Sequence, residues 1–169
     1  MIRFSQKIPL LKATILGGIL SSFVKFGWEV PFPPRTPQRE LTNPPQALLQ
    51  KLGFSEDITH YSYIFSEQSR PINSFIIHFG FCFVFAWLYY WLFERFKFIS
   101  LYHGALYGVI VYVLFHVIIM PLMGVVPPAS EQPIEEHISE LFGHIIWAWS
   151  IDLIRIYTQT EDNNVYLSK

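Results

Sequence analysis

Charge and cysteine are what this chain has least of. Asp, Glu, Lys and Arg make up 15% of its 169 residues and leave a formal net charge of −1. The few basic residues are scattered, which excludes the basic patch of a nucleic-acid surface. The single cysteine, Cys82, excludes an intrachain disulfide framework and a cysteine-built metal site within one chain. It lies in an apolar run, the setting of an inert buried thiol. The sequence also lacks a phosphate-cradling glycine loop, a G-x-S-x-G elbow and a candidate thiol nucleophile, so it weighs against an enzyme.

What the chain has instead is hydrophobic length. Half of it is hydrophobic (51%) and 18% is aromatic. Four runs, 8–29, 72–93, 101–122 and 138–157, each approach the roughly 20 apolar residues that cross a bilayer core. The third, LYHGALYGVIVYVLFHVIIM, has no acidic or basic residue apart from two histidines. These runs predict an all-α polytopic membrane protein, a single domain over 1–169 built as a four-helix transmembrane bundle in a lipid bilayer. Arg3, Lys7 and Lys12 precede an apolar stretch as in a secretory signal, but Lys25 and Glu29 follow where a small-residue cleavage site belongs. A retained first helix is expected.

Basic residues set the orientation. Arg3, Lys7 and Lys12, then Arg95 and Lys97, place both termini and the 94–100 loop in the cytoplasm. The loop 123–137, with Glu131, Glu135 and Glu136 but no Lys or Arg, and the longer loop 30–71 then face outward. Six of the twelve prolines fall within 31–45, which predicts a stiff, extended stretch. Asn43 before Pro44 signals a helix start, with QALLQKL ending at Gly53, and Ser55 is placed to cap a second short helix containing Tyr61, Tyr63 and Phe65. Residues 30–71 are thus expected to form a small helical, proline-rich cap at the outer interface.

Beneath that cap the runs carry polar groups at one depth. His78 follows Pro71 by seven residues, His116 precedes Pro121 by five, His144 follows His137 by seven, and Lys25 precedes Pro31 by six. At 1.5 Å per residue the three histidines lie roughly 8–10 Å below the outer boundary. Glu140 lies about 40° and His137 about 20° from His144 around a helix, so the three share a face. Polar side chains in hydrocarbon are costly and usually face one another or water. His103, near the other end of its helix, is expected to be interfacial, as are Asp152 and Arg155. A weak repeat pairs INSFIIH with ISELFGH, matching His78 with His144 and Lys25 with His116.

The segments FVKFGWEVPFPPR, FHVIIMPLMGVVPP and ISELFGHIIWAWSIDLIR resemble signature segments of the YagU family of bacterial inner-membrane proteins. The resemblance spans nearly the whole chain. It implies an inner-membrane location, no agreed biochemical activity and a suggested link to acid tolerance. The family pattern resembles this chain at Lys25, Glu29, Pro33, Pro34, Arg35, His78, His116, Pro121, Gly124, Pro127, Pro128, Glu140 and His144, and leaves out His103 and His137. The intervening loop 38–66 is shorter than is typical.

Three readings of the polar cluster stand side by side. His78, His116 and His144, with Glu140 as ligand or orienting partner, have the chemistry for a transition metal such as Zn or Fe. Alternatively, Lys25, Glu29, His78, His116, Glu140 and His144 form a proton-responsive or ion-conducting network, because histidine titrates near neutral pH. On the third reading these groups only bond across helices in a scaffold whose outer loops bind a partner. Arg35 is expected to lock the cap to Glu131 or Glu135. Gly17, Gly18, Ser21 and Ser22 provide a small-residue face for packing within the bundle or in a homo-oligomer, which a bundle of this size makes plausible. Trp147 and Trp149 are expected in the core, and Pro121 is expected to kink its helix above His116.

Overall fold

The computed structural model describes residues 8–32, 36, 39 and 41–167, with side chains as far as residue 160. The elements run α1 (Leu10–Glu29), α2 (Pro44–Lys51), α3 (Glu56–Thr59), β1 (Ser62–Phe65), β2 (Gln68–Pro71), α4 (Ile72–Arg95), α5 (Ala105–Leu122) and α6 (Ile134–Leu167). Three helices, α1, α4 and α5, are long and apolar enough to cross a membrane. The fourth expected run lies inside α6, a helix of 34 residues that carries Glu140, Asp152 and Arg155 along its apolar stretch.

Close approach is made possible by small residues. On α1, Gly17, Gly18, Ser21 and Ser22 are all buried, and α4 fills the space their missing side chains leave: Tyr90 lies over Gly17 and Phe83 over Gly18. The small face therefore serves packing inside the bundle. On α5, Gly108 lies directly against the backbone of His144 on α6. Helices α4 and α5 meet through large side chains instead. Phe85 and Phe115 pack edge to face at 4.9 Å, and the Tyr107 hydroxyl donates to the Phe85 carbonyl at 2.9 Å. Trp147 is buried in this aromatic core with its ring 6.0 Å from His144, as expected. Trp149 is 45% exposed, against expectation. Positions two apart on a helix point about 200° from one another, so one core cannot take both.

Two local departures have clear causes. The expected helix through Tyr61, Tyr63 and Phe65 is a β-hairpin, β1 pairing antiparallel with β2, so the fold is mostly rather than wholly helical. Ser66 and Glu67 turn it with φ of 48° and 61°, and the aromatic, β-branched run YSYIF suits a strand. In α5 the ladder widens to π-helix over Tyr112–Ile119, just before Pro121. Proline offers no N–H to the Val117 carbonyl and its ring crowds that group, and a wider turn relieves both. His116 stands within the widened stretch.

The loop after α1 is ordered by side chains. Asn43 and Gln46 exchange side-chain and backbone hydrogen bonds at 3.1 and 2.8 Å in a capping box that starts α2. Gln46 donates to the Thr59 carbonyl at 3.3 Å, and Ser74 at the start of α4 donates to Asn43 Oδ1 at 2.9 Å. Lys51 at the end of α2 reaches toward Gly124 in the turn after α5. Pro33, Pro34 and Arg35 lie outside the described residues, so the proline-rich stretch and the Arg35 lock are not placed.

The glycine contacts yield a direct test. A Cβ at Gly108 would collide with backbone, whereas one at Gly80 meets nothing within 4 Å. Gly108→Ala should lower the apparent melting temperature in detergent, at a cost of about 1–3 kcal/mol. Gly80→Ala should leave it unchanged or raise it, since alanine is the better helix former.

Candidate functional site

The groups expected at one depth do gather at one end of the bundle, between α1, α5 and α6. Lys25 Nζ lies 2.8 Å from Glu140 Oε2 on α6 and 3.2 Å from Glu29 Oε1 one turn along α1. Side-chain exposures of 11% and 10% put the Lys25–Glu140 pair inside the protein. Its ammonium does not reach outward. Gly143 makes the room, since a Cβ there would stand 3.0 Å from Lys25 Nζ and 2.8 Å from Trp28 Cδ1. Trp28 closes the same corner by donating from Nε1 to the Ser139 carbonyl at 2.9 Å.

His144 is tied to the same acid. Its Nδ1 donates to the Glu140 carbonyl at 2.7 Å and lies 3.4 Å from Glu140 Oε2. The proton of the neutral ring therefore sits on Nδ1, and Nε2 is the nitrogen left to accept another.

A second group parallels the first one turn earlier on α6. Glu136 is buried, in an ion pair with Arg39, and its Oε1 lies 3.6 Å from His116 Nε2. That nitrogen is buried and makes no hydrogen bond. Tyr112 links the two groups. Its ring stacks on His116 at 5.6 Å, lies 5.8 Å from His144, and its hydroxyl donates to His137 Nδ1 at 2.8 Å. His137 Nε2 in turn donates to the Ala129 carbonyl at 2.8 Å, so both its nitrogens are occupied.

His78 stands apart. Its Nε2 donates to the Ser22 carbonyl at 3.1 Å and its ring packs on Phe26 at 4.0 Å, so its contacts run to α1. The metal set of His78, His116, His144 and Glu140 is thus not drawn round one point. Among the described residues no group of three or more His, Cys, Asp or Glu is placed to hold a metal ion.

Reading the sequence missed Glu136, Arg39, Tyr112 and Gly143. A fourth run beginning at 138 leaves Glu136 in the preceding loop. In fact α6 starts at Ile134, behind Pro133 and with Glu135 and Glu136 in its first turn. That proline and acidic first turn are ordinary helix-start signals, and they place Glu136, Glu140 and His144 in one stripe. Arg39 has no such signal. At the other end of the bundle, Asp152 and Arg155 form the expected ion pair, with Asp152 fully buried and the Arg155 side chain 14% exposed.

A family model described as a protein of unknown function (DUF1440) matches residues 19–153, which carry nearly all of these groups. The chain belongs to this family. The inner membrane protein YagU of Escherichia coli strain K12 is 34% identical to it over 163 residues, covering 83% of this chain and 79% of that protein. No solved structure matches the chain. In this DUF1440 member the matched range includes the segments that build the cluster: the end of α1, the π-widened turn of α5 and the first turns of α6.

Removing one member of a buried ion pair strands the other, at a cost of about 3–5 kcal/mol. Glu140→Leu should therefore destabilise the protein, toward the lower end because Glu29 remains beside Lys25. The double variant Lys25→Leu/Glu140→Leu should recover much of the loss, as read by unfolding in mixed bicelles.

Proposed function

We propose that this protein is a proton-responsive protein of the bacterial inner membrane, acting in the response of the cell envelope to acid. The observation that carries this reading is the doubled arrangement on α6. Each buried carboxylate is shared between a fixed cation and a histidine: Glu140 between Lys25 and His144, Glu136 between Arg39 and His116. Both imidazoles have a nitrogen beside these acids or open to accept a proton. With the histidines neutral, Lys25 and Arg39 face Glu29, Glu136 and Glu140, so the cluster is short of one positive charge. One proton on either histidine balances it, and a second leaves it positive. Accumulating charge in a buried site alters packing, and Tyr112 and the π-widened turn connect both histidines to α5.

The membrane reading extends to four spans. The polar side chains along α6 are turned inward and paired, Glu140 with Lys25 and Asp152 with Arg155, which leaves residues such as Phe142 and Trp149 outside. A helix with its charges satisfied internally can cross hydrocarbon. Four spans put both termini in the cytoplasm, in keeping with Arg95 and Lys97 in the turn after α4, and set the cap and the cluster toward the periplasm. The inner-membrane name of the YagU relative supports the location.

Trp147 beside His144 supplies a probe, because a protonated imidazole quenches indole emission. Acidifying the protein in nanodiscs from about pH 7.5 to about 3, a range that spans histidine ionisation with room below it, should lower tryptophan emission in a sigmoidal step. The step should be lost in His144→Gln and shifted in His116→Gln. An identical step in both variants, or none in the parent, would sink the reading.

A further inference from the structure

At the opposite end of the bundle a second buried carboxylate is held in a different way. Asp152 on α6 is fully buried. Its Oδ1 accepts from the Tyr89 hydroxyl of α4 at 2.6 Å and from Arg155 Nε at 2.5 Å. Its Oδ2 is buried and has no hydrogen bond. His103 Nδ1 lies 3.6 Å from that oxygen. The two partners differ sharply in access: the Asp152 side chain is 1% exposed and that of His103 is 69% exposed. An open imidazole therefore stands at the mouth of a closed carboxylate.

The turn that carries the histidine is built onto this spot. Tyr102, His103 and Gly104 have φ of 53°, 55° and 83°. Left-handed backbone at two consecutive non-glycine residues is strained and persists only where the surroundings enforce it. The enforcing contact is Gly104, where a Cβ would stand 2.8 Å from the Ala148 carbonyl and 3.3 Å from Asp152 Cβ. The turn is thus pressed onto the face of α6 that holds Asp152, and His103 is directed over the carboxylate.

We propose that His103 and Asp152 form a second proton-exchange site, open to the solvent at the end of the bundle opposite the outer cluster. Its ligand is a proton. The exposed imidazole takes it from water, and the unbonded Asp152 Oδ2 holds the imidazolium by charge and hydrogen bond. The other groups facing the site are fixed: Arg155, which balances Asp152 and stacks on Phe93 at 4.4 Å; Tyr89, a donor to the carboxylate; Tyr90, engaged with the Ile151 carbonyl at 2.9 Å; and Lys97, which lies over the same Phe93 ring at 3.9 Å. Arg155 and Lys97 are the other cations near the site. Asp152 lies twelve residues from Glu140 along α6, about 18 Å. The one helix therefore presents carboxylate–histidine pairs in its first turns and at its middle. In the orientation proposed above this second pair faces the cytoplasm.

The site shares no residue with the outer cluster, so its test is independent of that reading. The full-length protein in nanodiscs, with 13C-labelled histidine, would be titrated by NMR, and the His103 resonance assigned by its loss in His103→Gln. An opposite charge within about 4–6 Å shifts a titration by 1–3 pH units. Asp152→Asn should lower the His103 midpoint by about one unit, a tenfold weaker hold on the proton. Tyr89→Phe leaves the fold's charges in place and removes one donor from the carboxylate, so it should raise the midpoint. It also supplies the answer if Asp152→Asn does not fold. A His103 midpoint that moves in neither variant overturns the proposal and leaves His103 as an ordinary surface imidazole.

Discussion

A lysine late in α1 and a glutamate early in α6 meet at 2.8 Å inside a bundle whose outer surface is apolar. Neither could be left alone there, because an unpaired charge away from water costs several kcal/mol. Their meeting fixes the rotation and height of α6 against α1, and it requires glycine at 143, where a side chain would take the space of the ammonium. Once α6 is set in this way, Glu136 and His144 come to the same face, and Asp152 is carried into the far end against Tyr89. A single cross-helix pair thus organises both polar sites along the longest helix.

Between those ends the bundle is held by ordinary packing of unequal partners. Glycine and serine on α1 accept the large rings of α4, while Gly108 lets α5 rest on the backbone of α6. Where glycine is absent, between α4 and α5, phenylalanine and tyrosine fill a wider gap. The aromatic wealth of the chain has this use: rings bridge helices that cannot approach closely and pack beneath His144. Polar chemistry is accordingly confined to the two ends.

The three spans that are plain in the structure were plain in the sequence, because a run of about 20 apolar residues has one economical use. The ends of the runs were nearly as legible. The β-hairpin was not, since a short aromatic stretch beside a helix cap reads equally as a turn of helix until its strand partner is seen. Lys25, Glu29, Glu140 and His144 were found because ionisable groups are conspicuous in apolar runs. His78 was conspicuous for the same reason and yet belongs elsewhere, its ring turned to α1. Depth along a helix can be counted from a proline, but the direction of a side chain depends on which helix lies beside it.

By itself the sequence determined that this chain is a helical membrane protein with charged and titratable groups inside its apolar segments, for composition and hydrophobic length depend on no partner. It also determined the small face of α1, because glycine and serine in succession leave no alternative to close packing. Only the tertiary structure decided which groups pair across the fold: Lys25 with Glu140, Arg39 with Glu136 and Asp152 with Tyr89. These pairings join residues from about 60 to more than 100 positions apart, or from a loop without local signals. Their partners are chosen by the mutual rotation of packed helices, a property no single segment carries.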